Sequence, residues 1–119
     1  MSLVNNIALL TAIANDFSYD DLFTFQLERY VQTPERDCVI LISSSGNSVN
    51  ILNAVNYCRF HGISTIGLTG FDGGELSIKC DINLHVPVRQ YGVVEDAHQS
   101  IMHCLAKGIR ALLNVKGNN

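Results

Sequence analysis

The sequence has no tryptophan, only two prolines, no CxxC pair, and no apolar run approaching the roughly 20 residues needed to span a bilayer. That last absence excludes a helical membrane span. With proline scarce and repeats, low-complexity stretches and polar linkers missing, nothing marks a domain boundary. Basic residues are also few, 8 Lys and Arg against 11 Asp and Glu, and the net charge of −3 is spread along the chain. There is no electrostatic footprint for nucleic acid or for an anionic membrane surface, so neither is expected as a partner. Any anion must be held locally.

The composition, 47% hydrophobic with 16% charged, is that of a soluble globular chain able to bury a core. Cys38, Cys58, Cys80 and Cys104 are roughly 20 residues apart, and three of them fall in apolar segments. They read as buried thiols of a reducing cytoplasm, and no basic and apolar leader with a cleavage site opens the chain. A Met-Ser-Leu opening that runs straight into strand-like sequence also fits a trimmed chain.

Leu3 to Ile13 is apolar with small polar interruptions and is expected to be a strand. Ser18, with Asp21 three residues on, resembles a helix cap. Leu22, Phe23, Leu27, Tyr30 and Val31 then recur at helical spacing, which predicts a helix over about 19–31. Cys38 to Ile42 is an unbroken β-favouring run, of the kind covered on both faces. Ile51, Leu52, Val55 and Cys58 mark a helix stopping near His61-Gly62, followed by a strand from Ile63 to Thr69. A turn at Gly70-Phe71-Asp72-Gly73-Gly74, a short helix around 75–79 and a third strand at 82–86 come next. A last helix over 94–113 carries Val94, Ala97, Ile101, Leu105, Ile109 and Leu112 on one stripe. Alternating helices and continuously apolar strands predict an α/β chain with a parallel sheet covered on both faces.

The junction Ile42-Ser43-Ser44-Ser45-Gly46-Asn47-Ser48 turns a buried strand directly into a helix. The first amides of that helix lack partners within it and its dipole adds partial positive charge, so the turn favours an anion. Hydroxyls donate to phosphate oxygens without bulk, and glycine lets the backbone approach closely. Capping and turn formation alone would explain one serine; four hydroxyls in six residues exceed that need.

This serine loop is similar to the phosphate-binding signature of sugar-isomerase (SIS) domains. Thr11-Ala12-Ile13-Ala14-Asn15-Asp16-Phe17, Gly67-Leu68-Thr69-Gly70-Phe71-Asp72-Gly73-Gly74, and the helix bearing His98 and His103 resemble successive motifs of the phosphoheptose isomerase kind. The resemblance implies one partial SIS domain over 1–119, a three-layer αβα fold with a parallel flavodoxin-like sheet. It also implies a phosphorylated sugar as ligand, with Ser43, Ser44, Ser45 and Ser48 on the phosphate and Asp16 on the sugar. The implied chemistry is an aldose–ketose isomerisation of sedoheptulose 7-phosphate or a similar phosphosugar. Such a step needs an acid and a base in reach of adjacent carbons.

His103 resembles the family's catalytic histidine, which in some members binds zinc, and Glu95 stands where the family normally has glutamine. Zinc on His103 and Glu95 is therefore a possible cofactor arrangement, which the added carboxylate puts in question. Eight residues are about 12 Å of rise and roughly 80° of rotation, so Glu95, Gln99 and His103 form one polar edge. His98 and Met102 read as packing residues, and His61 and His85 as surface or strand-end residues. The alternative is a non-catalytic phosphosugar-binding regulatory or adaptor protein. Family habit and the apolar last helix imply a homodimer or homotetramer with shared sites.

The family's N-terminal helical segment, its first strand with a Gly-Asn-Gly-Gly-Ser loop, and a helix with a catalytic glutamate are not found. The chain alone is thus expected to be inactive. In the order 2-1-3-4-5 the missing first strand would separate the second from the third. The segment from Leu3 is accordingly expected to be displaced, to pair directly with the Val39 strand, or to be completed by another chain.

Overall fold

The computed structural model describes the backbone of residues 1–116 and the side chains of residues 1–114. The chain order is α1 (Ile7–Asp16), a 3-10 turn (Tyr19–Asp21), α2 (Thr24–Tyr30), β1 (Cys38–Ser43), α3 (Val49–His61), β2 (Ser64–Thr69), α4 (Gly74–Lys79), β3 (Ile82–His85) and α5 (Tyr91–Lys116). The three strands form a parallel sheet in the order β1-β2-β3, with Cys38 opposite Ser64 and Ile66 opposite Ile82.

Because side chains alternate along a strand, this register puts Leu41, Gly67 and Asn83 on one face and Ile42, Leu68 and Leu84 on the other. The first face meets α3 and α4, where Leu41, Ile51, Ala54, Val55, Cys58, Ile63 and Leu76 form a continuous core with Leu27 of α2. Each aliphatic side chain fully buried there contributes about 1.5–3 kcal/mol. Gly67 is the thin point that admits the Cys80 thiol against the sheet. The second face meets the first half of α5, where Val94 packs on Gly70 and His98 is buried. Helices on both faces of a parallel sheet are the architecture expected for an α/β chain, but β1, expected to be covered on both faces, is covered on one only: Ile40 and Ile42 are exposed because β1 is the edge strand and α5 packs over β2.

The strand expected from Leu3 to Ile13 is a helix instead. Asn6 caps it by accepting from the Leu9 amide at 3.0 Å, and Ala8, Ala12 and Ala14 favour the helical backbone. Ile13 is the one fully buried side chain of α1, and an apolar run with small polar interruptions fits a helix as well as a strand. Among the described residues no segment pairs with the free edge of β1. Met1 to Val4 lie beside Ile40 to Ile42 without entering the sheet.

The helix predicted over 19–31 breaks into two pieces. Ser18 does cap the first, accepting from the Asp20 amide, but Phe23 starts α2 with no side-chain cap. Gly62, at φ 68°, ends α3 as its position predicts. Two cysteines depart from the buried reading. Cys38 is exposed because it opens the edge strand, and Cys104 because it lies on an uncovered flank of α5. Cys58 is buried, which pushes its thiol up to about 11. The α5 stripe is only half used, since Val94 is buried while Ile109 and Leu112 are exposed.

Candidate functional site

All three strands are parallel, so the connections β1–α3, β2–α4 and β3–α5 leave the same edge of the sheet. The serine loop is the first of these. Ser43 closes β1, 6% exposed, and its hydroxyl sits 3.1 Å from that of Ser48 while accepting from the Gly46 amide at 3.1 Å. Gly46 turns with φ 69° because the Gly73 carbonyl lies against it, in the space a β-carbon would fill.

Two of the loop's carbonyls, those of Ser44 and Gly46, are satisfied by the β2–α4 connection and the first turn of α4. Gly70 donates to the Ser44 carbonyl at 2.8 Å, and Leu76 to the Gly46 carbonyl at 3.0 Å. Asn47 accepts from the Glu75 amide at 3.0 Å and thereby caps α4. With those two acceptors engaged, donors remain. Ser48 is the N-cap of α3 but its hydroxyl makes no capping bond. Among the described residues, the amides of Ser45, Ser48, Val49 and Asn50 have no acceptor. Free amides at a helix start, beside the hydroxyls of Ser44, Ser45 and Ser48, constitute a donor set for an anion.

Beside Ser48 opens a cleft of about 410 Å³, lined by Tyr19, Asp20, Phe23, Ile42, Val49 and Asn50 among others. A larger hollow of about 540 Å³ runs along α5, lined by Leu84, Ile101, Leu105, Ile109 and Leu112. It is apolar and has nothing to hold a phosphate.

The other sequence-derived residues are less close. Asp16 ends α1, exposed, with its carboxylate held by Asn15 at 2.8 Å; Phe17 and Ser18 link it to the 3-10 turn that packs on α3. On α5, Val94 and His98 face the sheet, and His98, 2% exposed, places Nε2 3.0 Å from the Thr69 carbonyl. A carbonyl only accepts, so Nε2 donates, and Nδ1 is buried without a partner. His103 comes five residues later, about 140° around the helix and about 7.5 Å along it. It is exposed and turned away from the sheet, with Gln99 3.4 Å away. Glu95 is exposed one turn before Gln99. The expected polar edge therefore exists, but a single copy does not bring it to the serine loop. Nor do the residues fit a zinc site, because no group of three or more His, Cys, Asp or Glu converges among the described residues.

Sequence reasoning passed over Asn47 as the cap of α4 and the Gly73-Gly74 pair as the floor beneath Gly46. The Asp-Gly-Gly triplet was the available signal.

The profile of the SIS domain family matches residues 1–70, more than half of the chain. The chain belongs to the SIS domain family. This SIS chain is 40% identical over 107 residues to a phosphoheptose isomerase of Aliarcobacter butzleri, a match covering 90% of this chain and 56% of the relative. It is 36% identical over 105 residues to the phosphoheptose isomerase of Rhodospirillum rubrum, covering 88% and 55%. Among solved structures, a phosphoheptose isomerase from Neisseria gonorrhoeae superposes with a TM-score of 0.85 at 30% identity, covering 92% of this chain and 61% of that one. One from Francisella tularensis gives 0.82 at 31%, covering 90% and 56%. The SIS chain thus spans about half the length of the curated relatives it matches. No helix among its described residues is long and apolar enough to cross a membrane.

Proposed function

We propose that residues 1–119 are one partial SIS domain whose serine loop binds the phosphate of a sugar phosphate. The activity served is the aldose–ketose isomerisation of sedoheptulose 7-phosphate or a close relative. The observation that carries this reading is the polarity of the loop: the Ser44 and Gly46 carbonyls are tied to Gly70 and Leu76 while the amides of Ser45, Ser48, Val49 and Asn50 and the hydroxyls of Ser44, Ser45 and Ser48 are left to donate. Ser43 serves as the buried strut that sets this shape.

Asp16 contributes an acceptor for sugar hydroxyls. His103 and Glu95 are the acid and base that move a proton between the two carbons next to and at the carbonyl. Because His103 turns away from its own serine loop, the acid–base pair serves the site of a neighbouring copy. The uncovered apolar half of α5, Ile109 and Leu112 included, is the surface that joins copies into a homodimer or homotetramer. The chain alone is inactive, and its unpaired thiols suit the cytoplasm.

A second reading, a non-catalytic sugar-phosphate sensor or adaptor, is favoured by the same separation of His103 from the loop. Two measurements decide. Titration with sedoheptulose 7-phosphate is expected to move the amide resonances of Ser43 to Ser48, and unmoved resonances in a folded sample would overturn phosphate binding. Binding without any turnover, in the longest polypeptide that carries this chain, would leave the sensor.

A further inference from the structure

The three connections at the carboxyl edge of the sheet, residues 43–49, 69–74 and 85–91, hold a single Lys or Arg, Arg89, and a single Asp or Glu, Asp72. Every other cation lies elsewhere. Arg29, Arg36, Arg59 and Lys79 sit in segments leading into strands, at the opposite edge, and Lys107, Arg110 and Lys116 belong to the far half of α5. Within one copy Arg89 is therefore the one Lys or Arg side chain at the edge that carries the serine loop, and His85 there is engaged with the Thr69 hydroxyl at 3.1 Å.

Arg89 is tied through Asp72 to the connection that packs against that loop. The middle connection touches both neighbours: the Gly73 carbonyl lies against Gly46, while the Phe71 amide donates to the Val88 carbonyl at 3.2 Å and the Phe71 ring packs at a tilt on Tyr91, centroids 4.6 Å apart. Phe71 adopts a positive φ of 48° there, a conformation maintained by these contacts on both sides. Asp72 stands between Phe71 and Gly73, one residue, about 3.8 Å of chain, from the floor of the loop. Its carboxylate takes Nη2 of Arg89 at 2.6 and 2.7 Å.

This pair is made to open. Both side chains are about three-quarters exposed, at 73% and 74%, and an ion pair in water contributes little. A single nitrogen serves both oxygens, so the two-nitrogen fork that makes Arg–carboxylate pairs strong is not used. Among the described residues the other guanidinium nitrogens have no protein partner, and a guanidinium fork matches phosphate oxygens.

Resting on the phosphate-binding reading above, we propose that Arg89 is a cationic arm that Asp72 parks beside the serine loop. On binding it turns from the carboxylate to the ligand and selects doubly charged phosphate monoesters over singly charged esters. Near neutrality a phosphate monoester carries about −1.5 to −2 charges, whereas the amides and hydroxyls of the loop supply only partial charge.

The test compares sedoheptulose 7-phosphate with its 7-sulfate counterpart, one charge poorer, at a fixed pH of about 7.5, where the phosphate is mostly dianionic. Affinity is read from the amide shifts of Ser43 to Ser48 in the full chain. Arg89→Gln is expected to weaken the phosphate ester about tenfold and leave the sulfate within about twofold. Arg89→Lys should recover part of the loss as a point charge, and Asp72→Asn should tighten the phosphate ester by freeing the arm. All three changes are on exposed side chains and leave the fold intact. Phosphate binding by Arg89→Gln within about twofold of the unchanged chain, equal weakening of both esters, or weaker binding by Asp72→Asn would each overturn the arm while the serine loop stood. If neither ester moved the amides of the unchanged chain, the serine-loop reading would fall and Arg89 with it.

Discussion

Gly46 turns through φ 69° directly against the carbonyl of Gly73, so the serine loop and the turn after β2 are one packed unit. Gly46→Ala would force a β-carbon into that carbonyl while straining the backbone, at a combined cost of about 2–4 kcal/mol. Gly62 has nearly the same angle, φ 68°, but open space around it, so Gly62→Ala should cost only about 1 kcal/mol. Urea unfolding of both variants checks this contrast; equal losses would mean that conformation alone, and not the Gly73 contact, makes position 46 a glycine.

Ser43 and Ser48 share a hydrogen bond but have different jobs. Ser43→Ala removes one of the two acceptors of the Gly46 amide, leaving the Ser43 carbonyl at 3.0 Å, together with the bond to Ser48, and is expected to lower stability by about 0.5–1.5 kcal/mol. Ser48→Ala, at an exposed hydroxyl, should change stability by less than about 0.5 kcal/mol and still weaken sedoheptulose 7-phosphate tenfold or more, the roughly 1.5–3 kcal/mol of a hydrogen bond to a charged group. Paired denaturation and titration separate the two; a stable Ser48→Ala chain with undiminished affinity would remove that hydroxyl from the site.

His103→Ala tests the catalytic assignment apart from the fold. The side chain is exposed, so thermal stability and phosphosugar affinity should hold, with a stability change below about 0.5 kcal/mol. Turnover, in the longest polypeptide carrying the chain, should fall about 10²- to 10⁴-fold. Mixing His103→Ala with Ser48→Ala chains should restore some activity, since a hybrid contact pairs an intact serine loop with an intact histidine. Full turnover in His103→Ala would remove it from the mechanism.

At the opposite edge of the sheet Asp81 accepts from the hydroxyl and amide of Thr65, at 2.8 and 2.7 Å, and these bonds hold its carboxyl below the ordinary carboxylate range. A lowered folded pKa stabilises the protein above the unfolded value, about 3.9, and that contribution is lost as pH falls from there through the lowered folded pKa. Thr65→Val should therefore make the melting temperature fall less steeply with acid across that window. An unchanged slope would show that the hydroxyl bond from Thr65 to Asp81 plays no part in the acid response.

Much of the fold was legible because β1 opens with the continuous apolar run Cys38 to Ile42, and β2, though it carries Ser64, Thr65, Gly67 and Thr69, is bounded by Gly62 and Gly70. The serine loop was legible for the same reason, since its hydroxyls follow an apolar strand without interruption, even though Ile40 and Ile42 of that strand are exposed. Residues 7–16 were not. An alanine-rich apolar segment satisfies a strand as well as a helix on hydrophobicity, and the deciding bond, Asn6 to the Leu9 amide, is a local geometry that composition does not display. The α5 stripe was legible as a helix, but its outer half, Ile109 and Leu112, stays uncovered in one copy, and no periodicity says which turns of a long helix have a neighbour.

The sequence by itself determined that this is an α/β chain with a hydroxyl-rich strand-to-helix turn, because those properties depend on residues adjacent along the chain. Only the tertiary structure decided that Gly73 supports Gly46, that His98 faces the sheet while His103 faces away, and that Arg89 meets Asp72. Those pairings join residues 17 to 29 positions apart, and parallel strands bring such residues together only once the connections leave from one common edge.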